Sequence, residues 1–372
     1  MRYNRDNTLK WFFMATFLIT DSDNDIDNKN FKYLLWFQPS LWGILLRKNR
    51  VEIFLDSRYF AKTNKLNEKY ICEKTWKSEI KFHQISGPLV DAMLLASADT
   101  SAIKIEENLT LKYYNDINSK SDLWTWEKKK KIEIIENYFE DDRIVKNNNE
   151  IKQIKNAVEI IDKVCLFLQY LVDTKEIKWK TEDNVRKIIL NKILEFWWEC
   201  ESFSPIVAFG ENSAIAHHSP WETIIENWPL LVDMWAQINW YCSDFTRTFW
   251  VWDKTEDYDE FKKIYKSVKK AHIKSVLWAR VGMQASQIDL LARRSIEKDG
   301  YGEYFSHSTG HGIWLHVHER PWINRMSDEI IQPNMIFTIE PGIYIPWKFW
   351  VRIENIVVAK EERVKILSKI HY

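Results

Sequence analysis

Glycine is the chain's sharpest deficit: 9 of 372 residues, where the usual share of roughly 7% would give about 26. Cysteine is sparse too. Cys72, Cys165, Cys200 and Cys242 lie far apart and form no CxxC pair, which argues against a zinc ribbon or a disulfide framework and makes a reducing cytoplasm the expected compartment. Neither sign of charge is in excess, with 53 Lys and Arg against 53 Asp and Glu. Binding a phosphate backbone calls for a basic surplus, so nucleic acid is not an expected partner. No stretch approaches the roughly 18 apolar residues of a membrane span, so no membrane partner is expected. The apolar run near the N-terminus, WFFMATFLIT at 11–20, passes into DSDNDIDN without a small-residue cleavage pattern. It reads as a buried first strand and not as an export signal.

What is present in excess is tryptophan, at 20 residues. Length alone predicts two domains, since single cores stop growing near roughly 250 to 300 residues. Residues 1 to about 140 alternate strand-like runs (KYLLWF, GILLRK, VEIFLD) with helix-like ones such as 125–139, an α/β pattern. A charged, Asn-rich linker near 140–148 precedes an amphipathic segment in which Ile151, Ile154, Val158, Ile161, Cys165, Leu168 and Leu171 recur at three- and four-residue steps, the helical period. Beyond 200, strand-type runs (PLLVDM, MIFTIE, VRIENIVV) interleave with helical ones at 258–278 and 285–299, as in an α+β domain.

The stretch DMWAQINWYCSDFTRTFW, 233–250, reads as a β-hairpin. With the turn at Asn239 and Trp240, Ile238 opposes Tyr241 and Asp233 opposes Thr246. Asp233 and Asp244 then share a face as diagonal neighbours, about 7 to 8 Å apart at the backbone and within joint reach of metal ions. The same pair would equally serve as two solvated surface carboxylates. Further on, FSHSTGHGIWLHVHE gathers His307, His311, His316 and His318, four of the chain's nine histidines. Flanking Gly310 and Gly312 let backbone approach a ligand closely, so the cluster reads as a ligand or acid/base set. Glu340 and Glu354 each fall inside an apolar strand pattern, where an unpaired carboxylate is costly; a cation, or an ion pair with Arg352, would satisfy either one.

Together these residues resemble the Xaa-Pro aminopeptidase and prolidase group of the creatinase/methionine aminopeptidase superfamily. That family carries its metal ligands as D-x-G, S-D-x-T-R, G-H-G-I-G, E-P-G and R-I-E, which correspond to Asp233, Asp244, His311, Glu340 and Glu354. The resemblance spans nearly the whole chain. It implies an α+β protein with a pita-bread catalytic domain over 143–372, preceded by a creatinase-like α/β domain over 1–142. It further implies two divalent ions, manganese first, with cobalt, zinc and iron also suited to four carboxylates and an imidazole. Those ions would activate the water that attacks an Xaa-Pro bond, with Glu340 both ligand and proton shuttle. His307 and His318 match histidines that contact substrate, and Arg352 matches an arginine that orients the last glutamate. In GENSAIAHHSP the family has one histidine where this chain has two; His217 is the match taken here, with His218 the other candidate. His316 has no counterpart. Expected partners are peptides with proline second and a second copy of the chain.

Several tryptophans stand at family glycine positions: Trp36, Trp235, Trp240, Trp314, Trp347 and Trp350, with Trp250 read the same way. Asn-Gly is the strongest type I′ hairpin signal, because both central residues need positive φ, and Asn239-Trp240 is strained there. The expectation is that the native chain has glycine at these sites. UGA codons that a lineage reads as glycine, rendered as tryptophan, produce this pattern. Distortion or crowding is then expected around them. Competing functions are a prolidase restricted to Xaa-Pro dipeptides, a methionine aminopeptidase, which normally lacks such an N-terminal domain, and a metal-free pita-bread binding module, which usually loses several ligands.

Overall fold

The computed structural model describes residues 14–21, 28–36, 40–61, 63–121, 130–136, 138–196, 205–215 and 218–370. The chain divides into two compact units, Met1–Glu140 and Asp141–Tyr372; the sequence expectation placed the division at 142/143.

The first unit is built on strands β1 (Met14–Asp21), β2 (Leu41–Leu46), β3 (Arg50–Asp56), β4 (Glu79–Ile85), β5 (Ala102–Glu106) and β6 (Lys131–Ile135). They form one mixed sheet in the order β4-β3-β2-β1-β5-β6. Helices α1 (Lys29–Leu35), α2 (Ser57–Phe60), α3 (Glu68–Thr75), α4 (Leu89–Ala96) and α5 (Leu111–Lys120) connect the strands. Phe17, Leu45, Phe54, Met93, Ile103 and Ile117 are buried in its core.

Two local expectations fail here. KYLLWF is not a strand over its described residues: 32–35 fall in α1, which starts where the Asn28 side chain accepts from the Asn30 amide and ends at Trp36 in the left-handed region, and residue 37 lies outside the described residues. A helix N-cap of this kind outweighs strand propensity over so short a run. Residues 125–139 are not one helix either, because Lys131–Ile135 forms β6, parallel to β5. Ile132, Ile134 and Ile135 are β-branched and suit an edge strand; residues 122–129 and 137 lie outside the described residues.

Helix α6 (Glu140–Ile144) begins at the last residue of the first unit, and α7 (Asn148–Asp173) follows it in the second. Asn147 and Glu150 close a capping box at the start of α7, satisfying two amide donors that a helix end otherwise leaves open. Its periodic face, Ile154, Ile161, Cys165, Leu168 and Leu171, is buried. Then come α8 (Glu182–Phe196), β7 (Ile206–Phe209), β8 (Pro229–Met234), β9 (Gln237–Ile238), β10 (Tyr241–Cys242) and β11 (Phe245–Trp250). Helices α9 (Tyr258–Trp278) and α10 (Ala285–Lys298) follow, then β12 (Gly310–Gly312), β13 (Glu319–Ile323), β14 (Ile336–Ile339), β15 (Gly342–Tyr344), β16 (Trp350–Arg352), β17 (Asn355–Lys360) and β18 (Arg363–Ile366). The larger sheets run β11-β8-β7 and β13-β12-β14-β17-β18. Among the described residues no helix is long and apolar enough to cross a membrane.

Candidate metal centre

The hairpin has the expected register, Tyr241 opposite Ile238 and Thr246 opposite Asp233. Asp233 is the penultimate residue of the buried strand β8, and Asp244 stands one residue before β11. The Ser243 amide bonds the Ala236 carbonyl at 2.8 Å, which keeps the two strands paired across the residues that separate the aspartates.

His311 comes from β12, between Gly310 and Gly312. A Cβ on Gly310 would lie 2.0 Å from the Thr338 carbonyl oxygen, and one on Gly312 2.1 Å from that of Arg320. Only glycine allows this packing of β12 between its neighbours. The His311 amide donates to Thr338 Oγ1 at 3.0 Å, and Thr338 Oγ1 donates to Glu340 Oε1 at 3.2 Å. His311 Nδ1 donates to the Gly312 carbonyl at 3.1 Å. That bond makes Nδ1 a donor and turns Nε2 toward Glu340 Oε1 at 3.3 Å and Asp244 Oδ2 at 3.7 Å, where it donates to the carboxylates in the metal-free chain and, once its proton is lost, is oriented as a metal ligand needs.

Glu354 lies in the break between β16 and β17, with its amide on the Thr246 carbonyl at 3.1 Å. Thr246 Oγ1 donates to Glu354 Oε2 at 2.6 Å. Arg352 departs from expectation. Its Nη2 pairs with Asp233 Oδ2 at 2.5 Å and its Nε with Thr246 Oγ1 at 3.0 Å, so it reaches Glu354 only through that threonine. The strand ends between Arg352 and Glu354, so the alternation that would set the two side chains together is interrupted.

Three overlapping groups each bring their ligand atoms within 4.8 Å of one another: Asp244, His311 and His318; His311, Glu340 and Glu354; Asp233, Asp244 and Glu354. The electrostatics follow from crowding. Burial pushes Asp244 well above its usual range, and Glu354, Asp233 and Glu340 push the same way. Burial and the neighbouring Glu340 and Asp233 raise Glu354 to about 8. Burial opposes ionisation of Glu340 as well, but the His311 hydrogen bond and charge outweigh it and hold the group at about 2. Among the described residues no hydrogen-bond donor reaches Asp233 Oδ1 or Glu354 Oε1, both buried. Buried carboxylate oxygens without donors call for a cation, and four carboxylates with one imidazole suit a hard or borderline divalent ion.

The histidines fall into three situations. His318 sits against His311 with ring centroids 4.4 Å apart. His307 donates from Nδ1 to the Ser308 carbonyl at 2.6 Å and accepts from the Tyr344 hydroxyl at Nε2; burial lowers it to about 4, leaving it neutral. His217 lies outside the described residues. His218 is engaged elsewhere, its Nε2 at 2.7 Å from Glu182 Oε2. That carboxylate also accepts from the Trp221 amide, while its other oxygen accepts from the Phe209 amide and Asn212.

Sequence reasoning assigned no role to Thr246, Thr338 or Tyr344. The two threonines were within its reach, since each stands two residues from a candidate ligand in an extended run. Tyr344 carried no such signal.

The tryptophans show part of the expected distortion. Trp36, Trp240 and Trp347 have positive φ, whereas Trp235, Trp250, Trp314 and Trp350 do not. Trp350 is crowded instead, its ring centroid 3.6 Å from that of Tyr344, closer than the usual range of roughly 4.5 to 7 Å.

Known proteins extend the comparison beyond this one chain. An Xaa-Pro dipeptidase of Pyrococcus furiosus is 34% identical over 294 residues, covering 79% of this chain and 81% of its own. The crystal structure of an X-Pro aminopeptidase from Thermotoga maritima aligns with a TM-score of 0.80 at 27% identity, over 96% of each chain. A prolidase structure from Pyrococcus furiosus aligns at 0.81 and 27%, over 96% of this chain and 97% of that one. These neighbours share the N-terminal domain and the pita-bread domain. The family model described as metallopeptidase family M24 matches residues 152–361, a span that contains every carboxylate and histidine of the cluster, and the chain therefore belongs to that family of peptide hydrolases.

Proposed function

We propose that this metallopeptidase removes the N-terminal residue from peptides whose second residue is proline, using two divalent ions held by Asp233, Asp244, His311, Glu340 and Glu354. The observation that carries this reading is the convergence of four buried carboxylates and a histidine oriented through Nδ1, with two carboxylate oxygens that no donor among the described residues reaches. Manganese is the first choice of metal. When bound, the ions lower the pKa of a water and polarise the scissile carbonyl.

The side chains divide the remaining work. Glu340, ionised and against His311, takes the proton of the attacking water and passes it to the departing proline nitrogen. His318, exposed beside His311, hydrogen-bonds the developing oxyanion, a role that the family resemblance also gives His217. His307, neutral and held through Tyr344, is restricted to bonds that an uncharged imidazole makes. Arg352 neutralises Asp233 and fixes its second oxygen, which leaves Oδ1 for a cation. An Xaa-Pro bond lacks the N–H that general peptidases read, which is why a dedicated site is needed.

The likeness to the Pyrococcus furiosus Xaa-Pro dipeptidase favours a second reading, hydrolysis of Xaa-Pro dipeptides alone. Both readings carry a cytoplasmic homodimer. The test loads purified protein with manganese and compares Xaa-Pro dipeptides with longer Xaa-Pro peptides. Release of the first residue from the longer peptides is expected. Cleavage of dipeptides alone selects the second reading, and no cleavage of either by metal-loaded protein overturns both.

A further inference from the structure

Among the described residues, ten non-glycine residues have positive φ, and six of them are tryptophan: Trp36 at 60°, Trp76 at 56°, Trp179 at 63°, Trp240 at 71°, Trp252 at 65° and Trp347 at 60°. In this region a Cβ crowds the carbonyl oxygen that follows it, so glycine dominates. Asparagine is the usual exception, as Asn239 and Asn334 are here. A large aromatic residue is among the least suited. Tryptophan makes up 20 of 372 residues, far too few to fill most of these positions by ordinary sampling.

At four of the six sites the local geometry is a known glycine geometry. Trp36 and Trp76 end α1 and α3 in the left-handed conformation, their amides bonded to the carbonyls of Lys32 and Cys72. The Lys77 amide also bonds Cys72. Such helix ends carry glycine at the left-handed residue. Asn239 and Trp240 join β9 to β10 with φ of 48° and 71°, the pattern that selects Asn-Gly. Trp347 turns the β15–β16 hairpin, where the Ile345 amide bonds the Phe349 carbonyl at 3.1 Å. Trp179 and Trp252 lie in the connections after α7 and β11. Trp76, Trp179 and Trp252 are not among the motif positions noted in the sequence, so backbone geometry alone singles them out.

A ligand-binding role for these indoles does not explain the pattern. Trp36 and Trp76 belong to the first unit and the other four to the second, and what all six share is a dihedral angle. We propose that the native protein carries glycine at positions 36, 76, 179, 240, 252 and 347, through UGA codons that its host decodes as glycine.

The deciding experiment is peptide mass mapping of the protein isolated from its host, read beside the six codons. Glycine masses and UGA codons at all six are expected. A tryptophan mass or a UGG codon at any one of them overturns the inference. A recombinant comparison tests the geometric premise separately, using Trp240→Gly and, as control, Trp278→Gly at the end of helix α9. The first variant raises the thermal midpoint and the second lowers it, since glycine weakens a helix but suits a left-handed turn. Any result other than a rise for Trp240→Gly overturns the premise.

Discussion

The buried carboxylates of the first unit and those of the candidate metal centre are accommodated in opposite ways. In the first unit each has its own donors: Glu106 accepts from Asn28 Nδ2 at 2.6 Å, Asn30 Nδ2 at 2.5 Å and the Tyr138 amide at 2.7 Å. Glu52 accepts from Arg50 at 2.8 Å and lies 2.6 Å from His83 Nε2. Burial works against its charge, but the His83 and Arg50 bonds prevail and hold it at about 2. In the second unit, Asp233, Asp244 and Glu354 are as deeply buried, yet they face one another, and all three are pushed upward. Depth is therefore no guide to role. A buried carboxylate with private donors is a structural element, whereas several sharing one space with oxygens unmet form a candidate cation site.

The hardest test of this contrast is Asp244→Asn. Loss of one ligand is expected to cut peptide hydrolysis at least about a thousandfold, as several kcal/mol of transition-state stabilisation vanish. In chelator the same variant unfolds at a higher temperature than the parent, because a repelling charge is gone. A lower midpoint in chelator would break the contrast.

For Glu52 the sign is reversed. Its folded pKa of about 2 lies below the ordinary 4.5, so its contribution is complete above pH 4.5 and is lost as pH falls toward 2. That contribution is about 3 kcal/mol. Glu52→Gln is expected to flatten the acid limb of stability measured by urea unfolding across this window.

Metal removal acts on the second unit. Manganese at 100 times its dissociation constant stabilises the protein by about 2.7 kcal/mol relative to chelator, a shift that calorimetry reads directly and that Asp244→Asn reduces. The smallest effect belongs to Tyr344→Phe, which releases His307 Nε2. An outer partner of this kind is worth about tenfold in activity, seen in steady-state kinetics as a fall in kcat greater than any change in KM.

Much of the site was legible because its parts are local. Asp233 and Asp244 lie on one hairpin whose register follows from a two-residue turn, and the Gly310-His311-Gly312 run announces close backbone packing. Helices α7, α9 and α10 were legible through apolar period. What escaped was short or non-local. KYLLWF became a helix because Asn28 caps it, and Lys131–Ile135 became a strand because β5 offers a free edge. Arg352 was assigned to Glu354, its near neighbour in sequence, and bonds Asp233, more than a hundred residues away.

By itself, then, the sequence determined the candidate ligand types, their order along the chain and the strands they lie on or beside, since residue identity and local periodicity need no folding to be read. Only the tertiary structure decided which oxygens find donors and which are left for a cation, which nitrogen of His311 faces the carboxylates, and which tryptophans occupy left-handed backbone. Those outcomes depend on distances between segments remote in sequence and on dihedral angles imposed by the surrounding turns.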